Sequence, residues 1–205
     1  VSLIAVIDFE TTGLSPAMGD RATEIAIVLL QSGQVVDRFQ SLMNAGRHIP
    51  SFIETFTGIS NAMLAIAPSA VSVMSEASRF VGATPMAAHN AAFDRRFWQA
   101  EMYQADQPST QNFACTLLLS RRLYPLSPSH QLGRLVDFHK LPKAARAHRA
   151  LADAEMAAAL LVQIQHDLRL KHGVSQPDHD FLMSVQRCTK HGLPALYAKR
   201  SVASC

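Results

Sequence analysis

The fold is decided by Leu3-Ile4-Ala5-Val6-Ile7-Asp8-Phe9-Glu10-Thr11-Thr12-Gly13. A short apolar, partly β-branched run gives way to two acids at alternate positions and then to a glycine turn. This reads as a buried strand with a charged tip. Successive side chains along a strand point to opposite faces, so Asp8 and Glu10 share one side of its end. Two carboxylates side by side repel unless a cation lies between them. Taken alone, the pair is more simply a polar strand end running into a turn.

Working outward, Thr23 to Leu30 reads as a second strand, Gln31-Ser32-Gly33-Gln34 as a turn, and Val35 to Leu42 as a third strand. Residues 1–43 are thus expected to form an antiparallel meander. From residue 51 the pattern changes to helices and isolated short strands. Helices are expected over 70–81 and 91–103, with strands over 85–89 and 113–116 and short helices near 116–123 and 131–138. The clearest helix spans about His148 to Leu168, with Leu151, Ala154, Ala158 and Leu161 at spacings of three and four and no Gly or Pro. Beyond Gly173 the pattern weakens. The expectation is one domain over 1–171 and a C-terminal tail over 172–205 of undecided order, with one helix near 180–186. A meander followed by alternating helices and strands indicates an α/β domain with a mixed sheet.

The chain has 205 residues, 48% of them hydrophobic and 17% charged, which fits one globular domain and rules out a disordered chain. No apolar run approaches a membrane span. No basic segment followed by a long apolar stretch opens the chain, so no secretory signal is expected. A start at Val1 rather than Met leaves a removed targeting segment open. Cys115, Cys188 and Cys205 form no CxxC pair, and a reduced, cytoplasmic setting is expected. A net charge of +3 permits an anionic partner without requiring one. P-loop and GxSxG patterns are absent, and Cys188 with His191 is too few ligands for zinc.

Two further acidic clusters stand at informative places. His89-Asn90-Ala91-Ala92-Phe93-Asp94 follows a strand and enters a helix, with Asn90 near the N-cap and Asp94 in the first turn. Capping and the helix dipole would account for both residues equally well. His148-Arg149-Ala150-Leu151-Ala152-Asp153 opens the longest helix. Five residues turn a helix through about 500°, so His148 and Asp153 converge only if His148 sits in the preceding loop. Together, Asp8, Glu10, Asp94, Asp153 and His148 fall at one strand end and two helix starts. Oxygen-only ligands suit Mg²⁺ or Mn²⁺. Two such ions can stabilise the attacking and leaving oxygens of a phosphodiester, while an imidazole takes the proton of the attacking water.

These three segments, in this order, resemble the motifs of the DEDD 3′–5′ exonucleases, histidine subclass, near the proofreading epsilon subunit of bacterial replicative polymerase. Phe56-Thr57-Gly58-Ile59-Ser60 also resembles a family segment, and the resemblance covers roughly 3–165. It implies a ribonuclease-H-like fold, a five-strand mixed sheet flanked by helices. It further implies two Mg²⁺ or Mn²⁺ ions, with Asp8 bridging both, Glu10 and Asp153 on the nucleophile side, and Asp94 on the other ion. His148 becomes the general base. Thr11, Thr12, Gly13 and Leu14 are expected to receive the terminal nucleotide, with Leu14 and Phe93 against bases. For those two, packing in the core is an equal reading. His89 and Asn90 match the motif as substrate contacts or, equally, as shaping and capping residues.

Lys140, Lys143, Arg146 and Arg149 recur before and after His148 and could contact phosphates or form a solvated loop. The implied activity is release of nucleoside 5′-monophosphates from a 3′ end, single-stranded DNA being favoured over RNA. The competing expectations are an exoribonuclease and a non-catalytic nucleic-acid-binding module; the second predicts a broken acid set, whereas this one is intact. Polymerase or sliding-clamp association is left open, since 172–205 shows no clamp-binding peptide.

Overall fold

The computed structural model describes residues 3–143 and 149–201. Strand β1 (Leu3–Thr11) lies between β2 (Ala22–Gln31) and β4 (Met86–Ala88), with β3 (Gln34–Leu42) at one edge and β5 (Phe113–Cys115) at the other. β1, β2 and β3 are antiparallel neighbours, while β4 and β5 run parallel to β1. This is the expected five-strand mixed sheet. Between β2 and β3, Ser32 and Gly33 both have positive φ, 55° and 79°. That conformation matches the twist of a tight hairpin.

The helices are α1 (Ser51–Thr57), α2 (Asn61–Ala65), α3 (Ala70–Val81), α4 (Ala91–Gln104), α5 (Thr116–Leu123), α6 (Leu132–Phe138), α7 (Ala150–His172), α8 (His179–Arg187) and α9 (Leu193–Ser201). Period-two alternation sorts the sheet into two cores. Ile4, Val6, Ala26 and Val28 pack beneath α7 with Ala154, Ala158 and Leu161. Ala5, Ile7, Phe9, Ile25 and Ile27 pack on the other face against Val73 and Met74 of α3 and Phe97 and Trp98 of α4.

The helix expected from about His148 begins at Ala150, because Arg149 before it is extended, and it continues to His172, where Gly173 turns left-handed. Periodicity did not reveal α1 and α2, which are too short to show it. A side-chain knot holds them instead. Glu54 accepts from the Asn61 backbone N–H at 2.6 Å and from its side-chain amide at 2.8 Å, while the Asn61 side-chain oxygen Oδ1 accepts from Ile49 N–H at 2.8 Å.

Beyond 172, α8 and α9 bury Phe181, Leu182, Val185, Leu193 and Tyr197 in the core beneath α7. The Gln186 amide pairs with β5 as a strand would, accepting from Cys115 N–H at 2.6 Å and donating to the Phe113 carbonyl at 3.2 Å. An edge covered in this way is closed to pairing with other chains. Helix α9 has no counterpart among the helices expected from sequence.

Candidate active site

Strand parity builds the site. Asp8 and Glu10 continue the Ile4 and Val6 series and so face α7. Asp153 lies in the first turn of α7. Carboxylate oxygens of Asp8, Glu10 and Asp153 lie within 4.8 Å of one another. The β1–β4 pairing is parallel, so the turn after β4 delivers the first turn of α4, with buried Asp94, beside the charged end of β1. Asp94 is the largest charged contributor to the titration of Asp8. A bulge between Glu10 and Thr11 bends the strand there, as bulges do beside many functional sites.

The electrostatics follow from this crowding. Burial, then repulsion from Asp94, Asp153 and Glu10, raises Asp8 well above the ordinary carboxylate range. Burial followed by Asp153 and Glu24 pushes Glu10 up to about 8, against the opposing pull of Arg149. Burial also pushes Asp94 up to about 8, although backbone hydrogen bonds involving its own and Phe9's peptide groups act the other way. Such a cluster holds protons at neutral pH unless positive charge replaces them. Hard oxygen donors, close together and mutually repelling, fit a divalent ion of the Mg²⁺ or Mn²⁺ type.

Arg149, the cation whose pull lowers Glu10, is already committed to another carboxylate. Arg149 donates Nε to Glu24 at 3.0 Å and a terminal nitrogen at 2.7 Å, and the next residue's N–H, Ala150, donates to the same carboxylate at 3.1 Å. Gln40 completes the shell at 2.9 Å. Burial works to raise the Glu24 carboxyl, but the hydrogen bonds from Arg149, Gln40 and Ala150 outweigh it and hold it below its usual value. Arg21 and Ala22 grip buried Glu101 in the same way. Two of the four expected phosphate-contacting bases are therefore engaged, since Lys143 also pairs with Asp137 at 3.0 Å. Lys140 is exposed, and Arg146 lies outside the described residues.

Beside the acids opens a cleft of about 440 Å³ whose walls include Thr11, Gly13, Leu14 and Phe93. Leu14 is 78% exposed, so it does not pack in the core. Phe93 is half-buried, in contact with Phe97 at 4.9 Å between ring centres. Thr12 does not line the cleft, and its hydroxyl accepts from the Arg21 N–H at 3.0 Å. Gly13 is required by close approach, because any Cβ there would collide with the Asp20 carboxylate. That carboxylate also ties the loop through Ser15 N–H at 2.9 Å.

The same cleft is lined by Phe52 and Phe56, 68% and 58% exposed, four residues apart on α1. Sequence reading singled out the Phe56 segment but not Phe52. The signal was an aromatic pair at i, i+4 in a stretch not recognised as helical.

His89 and Asn90 do not line this cleft. The His89 ring is bonded on both sides, accepting from the Thr116 hydroxyl at 2.9 Å and donating to the His130 carbonyl at 3.0 Å. Burial lowers its pKa to about 4, so it is neutral and fixes the 129–131 loop. Asn90 makes no side-chain cap to α4; its backbone is left-handed with φ 68°, and its amide is exposed. Such a conformation in a non-glycine residue is costly and concentrates near functional sites. His148, expected as the general base, lies outside the described residues.

Comparisons with known proteins show the family. The family described as Exonuclease, RNase_T, matches residues 5–161, and the chain belongs to it. It is 33% identical over 187 residues to the 3′-5′ exonuclease DinG of Bacillus subtilis, covering 91% of this chain and 19% of that protein. It is 34% identical over 164 residues to the PolC-type DNA polymerase III of Bacillus cereus, covering 80% of this chain and 11% of that one. Among solved structures, exonuclease X in complex with 5′ overhanging duplex DNA superposes with a TM-score of 0.65 at 31% identity, covering 80% of this chain and 91% of that one. The chain thus spans a fifth or less of the two curated relatives. No helix among the described residues is long and apolar enough to cross a membrane.

Proposed function

We propose that this chain is a 3′–5′ exonuclease dependent on two Mg²⁺ or Mn²⁺ ions, releasing nucleoside 5′-monophosphates from the 3′ end of single-stranded DNA. The observation that carries it is the crowded cluster of Asp8, Glu10, Asp94 and Asp153, whose burial and mutual repulsion raise Asp8, set beside a cleft with exposed apolar walls. Asp8, Glu10 and Asp153 would hold the ion on the nucleophile side, and Asp8 with Asp94 the other. Divalent cations bound there would supply charge neutralisation and polarisation of the scissile phosphate.

The protein's own groups do the rest. Leu14, Phe52, Phe56 and Phe93 exclude water around the terminal base and offer apolar faces for it to pack on. The loop built by Thr12, Gly13 and Asp20 holds the strand end against the acids. His148 removes the proton of the attacking water, a role carried by its motif. The exonuclease X complex, which contains duplex DNA with a 5′ overhang, supports DNA over RNA.

The test is digestion of matched DNA and RNA strands with Mn²⁺. Release of monophosphates from the 3′ end of DNA in preference to RNA supports the reading. Preference for RNA favours an exoribonuclease, and binding without cleavage would make the chain a binding module.

A further inference from the structure

On the far side of α4 from the apolar cleft, two depressions of about 240 and 630 Å³ meet, sharing Asn90, Leu117 and Arg121. No carboxylate lines either of them, whereas Arg95 lines the first and Gln131 the second. Arg95 and Arg121 are exposed, and neither forms an ion pair or hydrogen bond among the described residues. Arg122 next door shows the contrast, since it is spent on the Cys188 carbonyl at 2.7 Å.

We infer that this trough binds the phosphodiester backbone of the strand on the 5′ side of the bond being cut. The inference rests on the exonuclease reading. Continuity argues for it. Phe93 faces the apolar cleft, Asp94 the acids, and Asn90, Ala92 and Arg95 the trough, all at the start of α4. A strand whose terminal base fills the cleft and whose last phosphodiester lies at the acids must continue past this turn. There it meets two unengaged guanidinium groups, the exposed Asn90 amide and no opposing acid. Such contacts position a strand without reading its sequence.

The experiment compares wild type, Arg95→Ala/Arg121→Ala, the same pair changed to Lys, Arg121→Glu, and Arg79→Ala as a remote exposed control. Two readouts are taken. The first is binding of a labelled single-stranded DNA of about twenty nucleotides in Ca²⁺ across a salt series. The second is Mn²⁺-dependent hydrolysis of the nitrophenyl ester of thymidine 5′-monophosphate, too small to reach the trough.

Each phosphate contact on a single strand contributes about 0.7 to the slope of log affinity against log salt. The double alanine variant should bind at least tenfold more weakly with a slope shallower by roughly 1.4. Its kcat/KM on the strand should fall at least tenfold relative to that on the ester. Arg121→Glu should weaken binding further, and lysine at both positions should restore the slope. Unchanged affinity and slope in both the alanine and glutamate variants would overturn the trough. A wild type that hydrolyses neither ester nor DNA would overturn the exonuclease reading itself, and the trough with it.

Discussion

Arg149 and Glu24 form a two-point ion pair that fastens the start of α7 to β2, with Glu24 directly across from Glu10 on β1. The pair sets where Asp153 stands relative to Asp8 and Glu10. It also keeps one cation near the acids, where its pull opposes the rise of Glu10. The guanidinium is a quarter exposed and the carboxylate is almost wholly buried.

Glu24→Ala strands Arg149 and the Ala150 N–H beside the acid cluster. Breaking a buried pair by removing one partner costs about 3–5 kcal/mol. At this chain length each kcal/mol lowers the melting temperature by about 2–4 °C. Calorimetry should therefore show a fall of roughly 6 °C or more. A change within one degree would show that the pair does not hold α7.

Asp8→Ala and Asp153→Ala should each abolish strand cleavage while leaving a folded protein, because each removes an oxygen donor at the phosphate. The lost stabilisation is on the order of several kcal/mol. Circular dichroism and strand digestion together check this. Activity within tenfold of wild type would contradict the assignment.

His148→Ala should slow the reaction by roughly 10²–10⁴, the usual range for a lost general base, with cation binding retained. In wild type the rate should rise with pH as an imidazole deprotonates. Persistence of the same limb in the variant would assign the base to another residue.

Metal-free stability should fall as pH rises. Glu10 and Asp94 are pushed up to about 8, against about 4 in an unfolded chain. The folded state thus binds more protons between those values, and its advantage, full below about 4, is lost as pH climbs through 8. In EDTA the melting temperature should drop from pH 5 to pH 8, and Glu10→Gln should flatten the drop. A flat wild-type profile would show that the cluster is not strained.

Much of this was legible in sequence because it rests on period and order. Strand alternation placed Asp8 and Glu10 together, and caps and turn residues bounded β2, β3, α4 and α7 within a few positions. What was missed depends on tertiary contact. Phe52 became part of the cleft only because the Glu54–Asn61 knot winds a short helix that local pattern does not announce. Arg149 looked like a phosphate ligand because its partner Glu24 lies 125 residues away in the chain. Asn90 looked like a cap because its type favours capping, whereas its left-handed backbone turns the amide outward.

The central claim is that divalent cations bind among Asp8, Glu10, Asp94 and Asp153. Its most direct test is the melting temperature of EDTA-stripped protein titrated with Mn²⁺, wild type against Asp8→Asn. Binding to the assembled site alone stabilises by about 2.7 kcal/mol at a hundredfold excess over Kd. The wild type should then gain on the order of 5–10 °C, with Asp8→Asn starting higher and gaining far less. Equal gains in the two proteins would contradict the account, because the ion would then be bound somewhere else.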